Sequence, residues 1–539
     1  MAIKRYIADK DNTITNAYMD DLTTRATGSN MGASDILEVF SIIGQSNLID
    51  KSQTTASVEL SRILIQFPVS DITSDRTAGK IPASGSVSFY MRMFNARHSQ
   101  TTPRDFDLEI IPLQQQWEEG TGLDMDTYKD LVHGNPGSTW MSASSTAAWD
   151  VPGGNFYTSS WGHEVDFKIG NEDMEIDITE LVEEWMHASE ITNYGVCVKL
   201  IGTQEGYFSS SVLQTEGGTD FAETGITTPP NLEHHLHNVT GSTTSYYTKK
   251  FFGRGSEFFF KRPHIEARWN STIRDDRGQF YFSSSLATGE DNMNTLYLYN
   301  FVRGRLKDIP TVGDSNIYVS LFEASGGSNV PTGSALQQSS REVTDICTGL
   351  SPATGGWVST GIYSCSVCLT AGATPDAMLL DVWHSTDLKT STNETYFTGN
   401  IFPKSLESYS YNHNSNYVTS LTNLRPKYST RETARFRMYV REKDWSPTIY
   451  SKASKAIETT IIESGSYRVY RVADDLEIIA HNTGSDLATL LSYDITGNYF
   501  DLEMSLLQED YAYGIGFAYY DPSVGDWVEQ KETFKFRVE

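Results

Sequence analysis

Cysteine is scarce in this chain, with four residues among 539. Four cysteines cannot form a dense disulfide framework, so Cys197, Cys347, Cys365 and Cys368 are interpreted as small buried apolar side chains of a protein folded in a reducing compartment. Long apolar runs are absent too, since no stretch approaches the roughly 20 apolar residues of a membrane span. Residues 1–6 lack the apolar centre of a secretion signal. We therefore expect a soluble protein with no export signal and no membrane contact.

Positive charge is also in short supply. The chain has 42 lysines and arginines against 69 aspartates and glutamates, which gives a formal net charge of −27. Such a surface repels phosphate backbones, so we expect no nucleic-acid partner. The same excess of carboxylates favours solubility.

Runs of strong helix formers are rare, whereas Tyr, Phe, Thr, Ser and Gly are abundant. These residue types favour strands and turns, and the predicted fold class is all-β. The chain is too long for one core, so we expect several β-sandwich domains in tandem.

Residues 1–205 are predicted to form the first sandwich. Its most informative part, residues 113–200, holds closely spaced tryptophans joined by polar turns, which favours loops pinned to a sheet. One short helix is expected at residues 179–186, where Leu181, Val182 and Trp185 recur at helical spacing. The landmarks occur in the order Trp117-Glu118-Glu119-Gly120, Thr139-Trp140, Trp149, Gly153-Gly154, Asp177-Ile178-Thr179, Trp185 and Tyr194-Gly195-Val196.

This order resembles a DNRLRE-type domain over about residues 1–203. The resemblance implies a jelly-roll β-sandwich similar to carbohydrate-binding modules. Trp140, Trp149 and Trp161 are the candidate glycan-binding residues, provided that they lie open to solvent, because sugar rings stack on exposed aromatic faces. Burial is the alternative, and it would make these tryptophans part of the core.

Residues 206–262 are rich in Ser, Thr and Gly and are predicted to be a linker or an excursion. His234, His235 and His237 lie close together there. A metal site needs convergent geometry and usually a further ligand, so a solvated loop is the preferred interpretation.

Residues 263–430 are predicted to form a middle sandwich and residues 431–539 a C-terminal immunoglobulin-like sandwich, because short alternating strands separated by turns fill both segments. Cys365 and Cys368 have the spacing of a redox or metal motif, but on a strand residues three apart point to opposite faces. Asn393-Glu394-Thr395 matches a glycosylation acceptor, which has no meaning without a secretory route.

A second resemblance covers about residues 260–539. These blocks resemble virion structural proteins of marine contractile-tailed phages, and the resemblance implies a component of an assembled particle. The blocks are Arg268-Trp269, Asp275-Asp276-Arg277-Gly278, Leu296-Tyr297-Leu298-Tyr299-Asn300, Asp381-Val382-Trp383-His384, Arg435-Phe436-Arg437, Lys443-Asp444-Trp445-Ser446-Pro447-Thr448-Ile449-Tyr450, Ser492-Tyr493-Asp494-Ile495-Thr496-Gly497-Asn498-Tyr499-Phe500-Asp501 and Phe534-Lys535-Phe536-Arg537.

No catalytic motif is found, and the chain is predicted not to be an enzyme. Glu118 and Glu119 would form a glycosidase pair only if both carboxylates faced one groove about 5–10 Å apart. No cofactor is expected. The metal content is left open, because the acidic runs 124–126 and 171–177 are rich enough in oxygen for Ca²⁺ but lack the spacing of an EF-hand loop.

The predicted function is a non-enzymatic virion structural protein, located in a virion assembled in the host cytoplasm, as a neck, collar, tail or baseplate accessory component. Its expected partners are other virion proteins and further copies of itself, in a homo-oligomer or symmetric ring. Arg435, Arg437 and Arg441 on one strand are the candidate protein interface. The alternative function is adhesion to a host-surface glycan through the N-terminal sandwich.

Overall fold

The computed structural model describes residues 2–17, 28–45, 56–98, 102–123, 137–150, 152–157, 159–187, 190–206, 208–209, 237–238, 240–242, 244–284, 287–324, 330–331, 333–336, 352–369, 378–385, 394–404, 417–444, 446, 449, 459–484 and 487–539. Among the described residues, 46% lie in strands and 8% in helices, so the predicted all-β class is confirmed. The chain forms two compact units, Ala2–Trp269 and Asn270–Glu539.

The first unit contains thirteen described strands and two described helices. The strands are β1 (Ile3–Ile7), β2 (Lys10–Thr15), β3 (Ile36–Gln45), β4 (Ala56–Gln66), β5 (Ser88–Met93), β6 (Phe106–Pro112), β7 (His163–Phe167), β8 (Met174–Asp177), β9 (Val196–Leu200), β10 (Phe208–Ser209), β11 (His237–Asn238), β12 (Tyr246–Phe252) and β13 (His264–Arg268). The helices are α1 (Val69–Thr77) and α2 (Thr179–His187).

Eight of these strands form a jelly roll. One sheet has the order β1-β13-β5-β8, and the other contains β4-β9-β6-β7, with β3 and β12 continuing beyond β4 and β2 also paired to β4. Along the chain the eight strands pass back and forth between the two sheets, which is the jelly-roll arrangement.

The predicted end of this domain at residue 205 is wrong. β13 lies between β1 and β5, with Arg268 opposite Ile3 on one side and Ser88 on the other. β12 extends the second sheet along β3. The segment 206–262, predicted to be a linker, therefore contains strand β12 of the first sandwich. β13, predicted to belong to the middle sandwich, also belongs to the first one, because the partners of a strand can be far away in the sequence.

The predicted helix at 179–186 is confirmed as α2, with Leu181, Val182 and Trp185 buried. The first helix, α1, was not predicted. It starts directly after Pro68, and Arg76 forms a double hydrogen bond to Glu183 of α2, with N–O distances of 2.7 and 2.6 Å.

The second unit contains two sandwiches. The middle one has the strands β14 (Asn294–Tyr299), β15 (Phe301–Val302), β16 (Arg305–Leu306), β17 (Ile317–Glu323), β18 (Ala353–Ser359), β19 (Ile362–Val367), β20 (Leu379–His384) and β21 (Thr395–Ile401). Six of them follow the order β14-β19-β18-β17-β20-β21, and β15 pairs with β16 alone. Leu296 and Cys365 from one end of this order share a core with Leu321 and Trp383 from the other.

The C-terminal sandwich has the strands β22 (Tyr417–Leu421), β23 (Lys427–Tyr428), β24 (Thr433–Glu442), β25 (Gly465–Arg471), β26 (Leu476–Ile479), β27 (Ser492–Asp494), β28 (Gly497–Glu503), β29 (Ala512–Asp521), β30 (Asp526–Glu529) and β31 (Phe534–Val538). Its sheets are β22-β24-β28-β27 and β23-β31-β29-β25-β26, with β30 beside β29.

This order is immunoglobulin-like. β24, β28 and β27 take the places of strands B, E and D, and β25, β29 and β31 those of C, F and G. Phe500 of one sheet stacks on Tyr467 of the other at 4.3 Å between ring centroids. Tyr513 of β29 donates a hydrogen bond to the carbonyl oxygen of Gln508 at 2.8 Å, the tyrosine corner of this fold. The predicted boundary at 430 lies too late, since β22 and β23 already belong to this sandwich.

The cysteines only partly follow the prediction. Cys197 and Cys365 are free and buried, and burial raises the pKa of each thiol to about 12, so both stay protonated. Cys368 is disulfide-bonded, which contradicts its predicted reduced state. Cys347 lies outside the described residues. The spacing argument considered only Cys365 as a partner of Cys368, and Cys365 is a free thiol.

Within the described ranges, no helix is both long enough and apolar enough to span a lipid bilayer.

Candidate functional site

The predicted glycan-binding tryptophans are mostly buried. Trp140 is 0% and Trp149 1% exposed, and both belong to one core cluster with Trp117. Only Trp161, on a single helical turn before β7, is partly exposed. The glycan-binding assignment is therefore wrong for Trp140 and Trp149, because a buried ring has no free face for a sugar.

Hydrogen bonds and a buried arginine hold this cluster in place. The indole nitrogen of Trp149 donates to the carbonyl oxygen of Thr139 at 2.9 Å. The Arg62 guanidinium lies 5.1 Å from the Trp140 ring centroid, and its charge is balanced by Glu205 at 3.3 Å. The tryptophan-rich stretch is thus a set of anchors that fix long loops to the sheet.

Glu118 and Glu119 are held by different groups. Glu119 binds Arg254 at 2.8 Å and also accepts from the backbone nitrogen of Asp11 at 3.0 Å. Glu118 accepts from the backbone nitrogen and the hydroxyl of Ser145, at 3.0 and 3.1 Å. These contacts give both carboxylates structural roles in loop positioning.

The acidic run at 171–177 is likewise occupied by internal contacts. Glu172 accepts from the backbone nitrogens of Ile169 and Gly170 at 2.5 and 2.7 Å, and Asp173 accepts from that of Asn95 at 2.7 Å. No group of three metal-ligating side chains occurs among the described residues. The other acidic run, at 124–126, lies outside those residues, as do His234, His235 and Asn393, and for His237 only the backbone is described, in β11.

The predicted interface arginines lie on β24, and two of them are already paired. Arg435 binds Asp501 of the neighbouring strand β28 at 2.8 Å, and Arg437 binds Asp494 of β27, the next strand beyond β28, at 2.7 Å. Arg441 donates to the carbonyl oxygen of Glu442 at 3.2 Å. Arg435 and Arg437 therefore stabilise the sandwich, and only a contact that displaces or shares their carboxylates would use them for binding.

The second unit contains a cavity of about 490 Å³, a size typical of ligand or anchor-residue pockets. Its walls come from the segment before β14, the start of β14, the end of β19, and, in the C-terminal sandwich, the loop before β25 and strand β27. The lining residues include the carboxylates Asp276, Glu290, Asp291 and Glu463, the rings of Tyr281, Phe282 and Tyr493, and a single cationic residue, Arg274. We call this site the acidic cavity.

Two kinds of polar group line the acidic cavity. Asp276 is fixed, since it accepts from the backbone nitrogen of Thr295 at 2.6 Å and from the Tyr493 hydroxyl at 2.8 Å, and burial raises its pKa. Glu290, Asp291 and Glu463 are exposed and form no ion pair within the part of the chain that the structure describes. Three carboxylates thus remain available to a cationic or hydrogen-bonding group.

A second surface feature of the same unit is a short hairpin, β15–β16, followed by Lys307. Phe301 and Val302 are exposed, and so are Arg303, Arg305 and Lys307. No described residue forms an ion pair with these three cations. We call residues 301–307 the basic hairpin. β14 ends at Tyr299, and Phe301 and Val302 form the separate short strand β15.

The hairpin is tight because of its turn. Arg303 and Gly304 have positive φ values of 52° and 78°, the signature of a two-residue turn that matches the twist of the strands. Such a turn usually contains Asn-Gly or Asp-Gly, so an Arg-Gly turn gives little local signal.

Hydrogen bonds fasten the hairpin base to the β18–β19 turn. The backbone nitrogen of Asn300 donates to the carbonyl oxygen of Gly361 at 2.8 Å, and the Trp357 indole nitrogen donates to Asp308 at 3.0 Å. Trp357 and Val358 are themselves exposed. The exposed apolar side chains of the hairpin and of the end of β18 are therefore on adjoining segments, next to the three cations.

Comparisons with known proteins provide fold likeness alone. No protein-family model and no curated protein matches the chain. Among solved structures, it is similar to the tandem Ig repeats of Dlar, with 7% identity, 46% of this chain and 90% of that chain covered, and a TM-score of 0.13. It is also similar to the N-terminal Ig1-2 module of the Drosophila receptor protein tyrosine phosphatase DLAR, with 7% identity, coverage of 46% and 91%, and a TM-score of 0.12. Scores this low carry no argument about the present chain.

Proposed function

We propose that this chain is a non-enzymatic structural protein of a tailed-phage particle, located in the virion as a neck, collar, tail or baseplate accessory component. It binds other proteins through exposed parts of its sandwiches. The observation that carries the protein-binding role is the surface formed by the basic hairpin and the exposed Trp357 and Val358. An apolar surface rimmed by charges is typical of protein-binding sites.

The particle itself is inferred from the sequence blocks of residues 260–539. Several of these blocks have structural roles. Asp276 lines the acidic cavity, Asp381 binds Arg277 at 2.5 Å, and Arg435 and Arg437 bind carboxylates of β28 and β27. A protein that withstands assembly into a particle benefits from such cross-strand ties.

Locating the chain in the particle tests this proposal. Purified particles should contain the chain in a fixed, symmetry-related copy number, visible as tandem sandwiches in a density map of the intact particle. Absence of the chain from particles that are fully assembled and infectious would contradict the proposal. Turnover of polysaccharide or peptidoglycan that is abolished by Glu118→Gln would contradict the non-enzymatic part.

A host-glycan role stays as the second candidate, favoured by the partial exposure of Trp161. A glycan array probed with the wild type and with Trp161→Ala tests it. Binding that is lost in the variant supports adhesion, and binding that is absent or unchanged removes this residue as the basis of the candidate.

A further inference from the structure

We propose that copies of this chain associate head to tail, with the basic hairpin of one copy entering the acidic cavity of the next. This inference rests on the proposed protein-binding function and names its partner as a second copy of the chain.

Charge complementarity is the first support. The chain carries a net charge of −27, yet the basic hairpin brings together three exposed cations, Arg303, Arg305 and Lys307. The acidic cavity offers Glu290, Asp291 and Glu463, which form no ion pair in the described structure, and Arg274 is the single cationic residue of its lining. Because exposed charges are screened over roughly 8 Å at physiological ionic strength, the overall repulsion between copies is weak at the distance where these opposed groups meet.

The apolar parts match as well. Phe301 of the hairpin is 61% exposed, and its large aromatic ring is suited to insertion into a pocket of a partner. The cavity presents the rings of Tyr281, Phe282 and Tyr493. An aromatic side chain that fills a pocket, surrounded by charged groups at its rim, is the usual composition of an energetically dominant contact.

The placement of the two surfaces determines the geometry. Asn294, the first residue of β14, lines the cavity, and Tyr299, its last residue, leads into the hairpin. Neighbouring β19 runs the opposite way, from Ile362 beside the hairpin to Val367 beside the cavity. The six residues of β14 span about 17 Å at roughly 3.4 Å per residue.

Two complementary surfaces at opposite ends of a rigid strand pair cannot meet within one chain. They meet between copies, in a contact that uses a different surface on each partner. Such a heterologous contact generates a ring when its rotation closes and a filament when it does not.

Sedimentation equilibrium of the full chain tests the interface with two charge-reversed variants. Arg303→Glu/Arg305→Glu changes the hairpin, and Glu290→Lys/Asp291→Lys changes the cavity rim. The wild type should self-associate with a strength that falls as salt increases, and each variant should associate roughly tenfold or more weakly. Arg104→Glu/Arg431→Glu, two exposed arginines elsewhere, is the control with the same charge change and should associate like the wild type.

Mixing the two variants identifies the geometry. The hairpin variant retains a normal cavity and the cavity variant a normal hairpin, so an equimolar mixture should associate at a concentration where neither variant associates alone. Combining all four substitutions in one chain should restore association through the exchanged charges. Circular dichroism of every variant verifies that folding is unchanged.

Three results would overturn the inference: a wild type that stays monomeric at its highest soluble concentration, variants that associate as strongly as the wild type, or a control that weakens as much as the hairpin variant. Failure of the self-association proposal can be distinguished from failure of the proposed function. A monomeric chain found in particles leaves that function intact, whereas a self-associating chain absent from particles contradicts the function alone.

Discussion

The side-chain nitrogen Nε of Arg5 lies 2.6 Å from Oε2 of Glu266, although the two residues are 261 positions apart in the chain. The contact joins β1 to β13, so the first and last strands of the jelly roll are tied side by side. Arg268 binds the other oxygen of Glu266 at the same distance of 2.6 Å. The carboxyl group is almost fully buried, and while burial acts to raise its pKa, the surrounding arginines outweigh burial and hold the pKa well below its usual range.

Glu266→Gln should therefore destabilise the first unit. The variant leaves Arg5 and Arg268 without the carboxylate between them, and removal of one partner from a buried ion pair costs about 3–5 kcal/mol. Urea denaturation at neutral pH, followed by tryptophan fluorescence, measures the free energy of unfolding. Glu175→Gln is the matched control, because Glu175 binds Arg92 and Arg268 from a position that is 40% exposed, and its loss should stay below about 1 kcal/mol. Equal losses in the two variants would contradict this account.

Asp275 makes the stability of the second unit depend on pH, because the pKa of its buried carboxyl is raised, whereas that of Glu266 is lowered. It is 5% exposed, and burial raises the pKa of its carboxyl from 3.8 to about 6. A carboxyl whose pKa is raised in the folded state contributes stability below its unfolded pKa, and this contribution is lost as the pH rises through 6. At pH 8 the ionised group should therefore weaken the fold.

Asp275→Asn should stabilise the second unit at pH 8. The amide oxygen keeps the hydrogen bond from the backbone nitrogen of Arg277, which is 3.2 Å long, and no buried charge forms. The gain should be at most about 3 kcal/mol, the equivalent of roughly two pKa units, and should vanish near pH 4. Denaturation of both proteins from pH 4 to 8 checks this, and a difference that is independent of pH would exclude ionisation of Asp275 as its origin.

The fold class follows from local patterns, and the domain boundaries do not. The alternation at 317–322 is sufficient to predict β17, and the helical spacing of Leu181 and Trp185 to predict α2. β13 also has a strand pattern, but nothing within residues 264–268 indicates whether its neighbours are β1 and β5 or strands further along. The partners of β13 are determined by long-range packing. The composition change at 206–262 wrongly indicated that β13 belongs to the middle sandwich.

The acidic cavity and the basic hairpin could not be predicted from the sequence, because local patterns do not indicate either of them. The walls of the acidic cavity come from segments as far apart as Asp276 and Tyr493, so no single motif contains them. The Arg303-Gly304 turn lacks the usual Asn-Gly or Asp-Gly residues, so the local sequence does not indicate the hairpin. Trp117, Trp140 and Trp149 share one core cluster, but exposure of individual rings depends on tertiary packing that their spacing in the sequence does not encode.

Burial of the tryptophans leads to a stability prediction. Trp149→Ala removes a ring that is 1% exposed and a hydrogen bond to Thr139, and large-to-small core substitutions of this kind cost about 3–5 kcal/mol. Trp161→Ala removes a partly exposed ring and should cost less than about 1.5 kcal/mol. Denaturation midpoints of the two variants under one condition give the comparison. A variant of Trp149 as stable as that of Trp161 would show that the ring does not anchor the loop.

The tyrosine corner allows a test of the immunoglobulin-like sandwich at the level of one atom. Tyr513 is fully buried, and its hydroxyl donates to the carbonyl oxygen of Gln508 at 2.8 Å. Tyr513→Phe keeps the ring and removes this donor, which leaves the carbonyl without its partner and should cost about 1–2 kcal/mol. Tyr511→Phe, on an exposed ring two residues earlier, is the control and should change stability by less than about 0.5 kcal/mol. If the two variants unfold at the same denaturant concentration, the hydroxyl of Tyr513 contributes nothing to the corner, and its burial reflects packing of the ring alone.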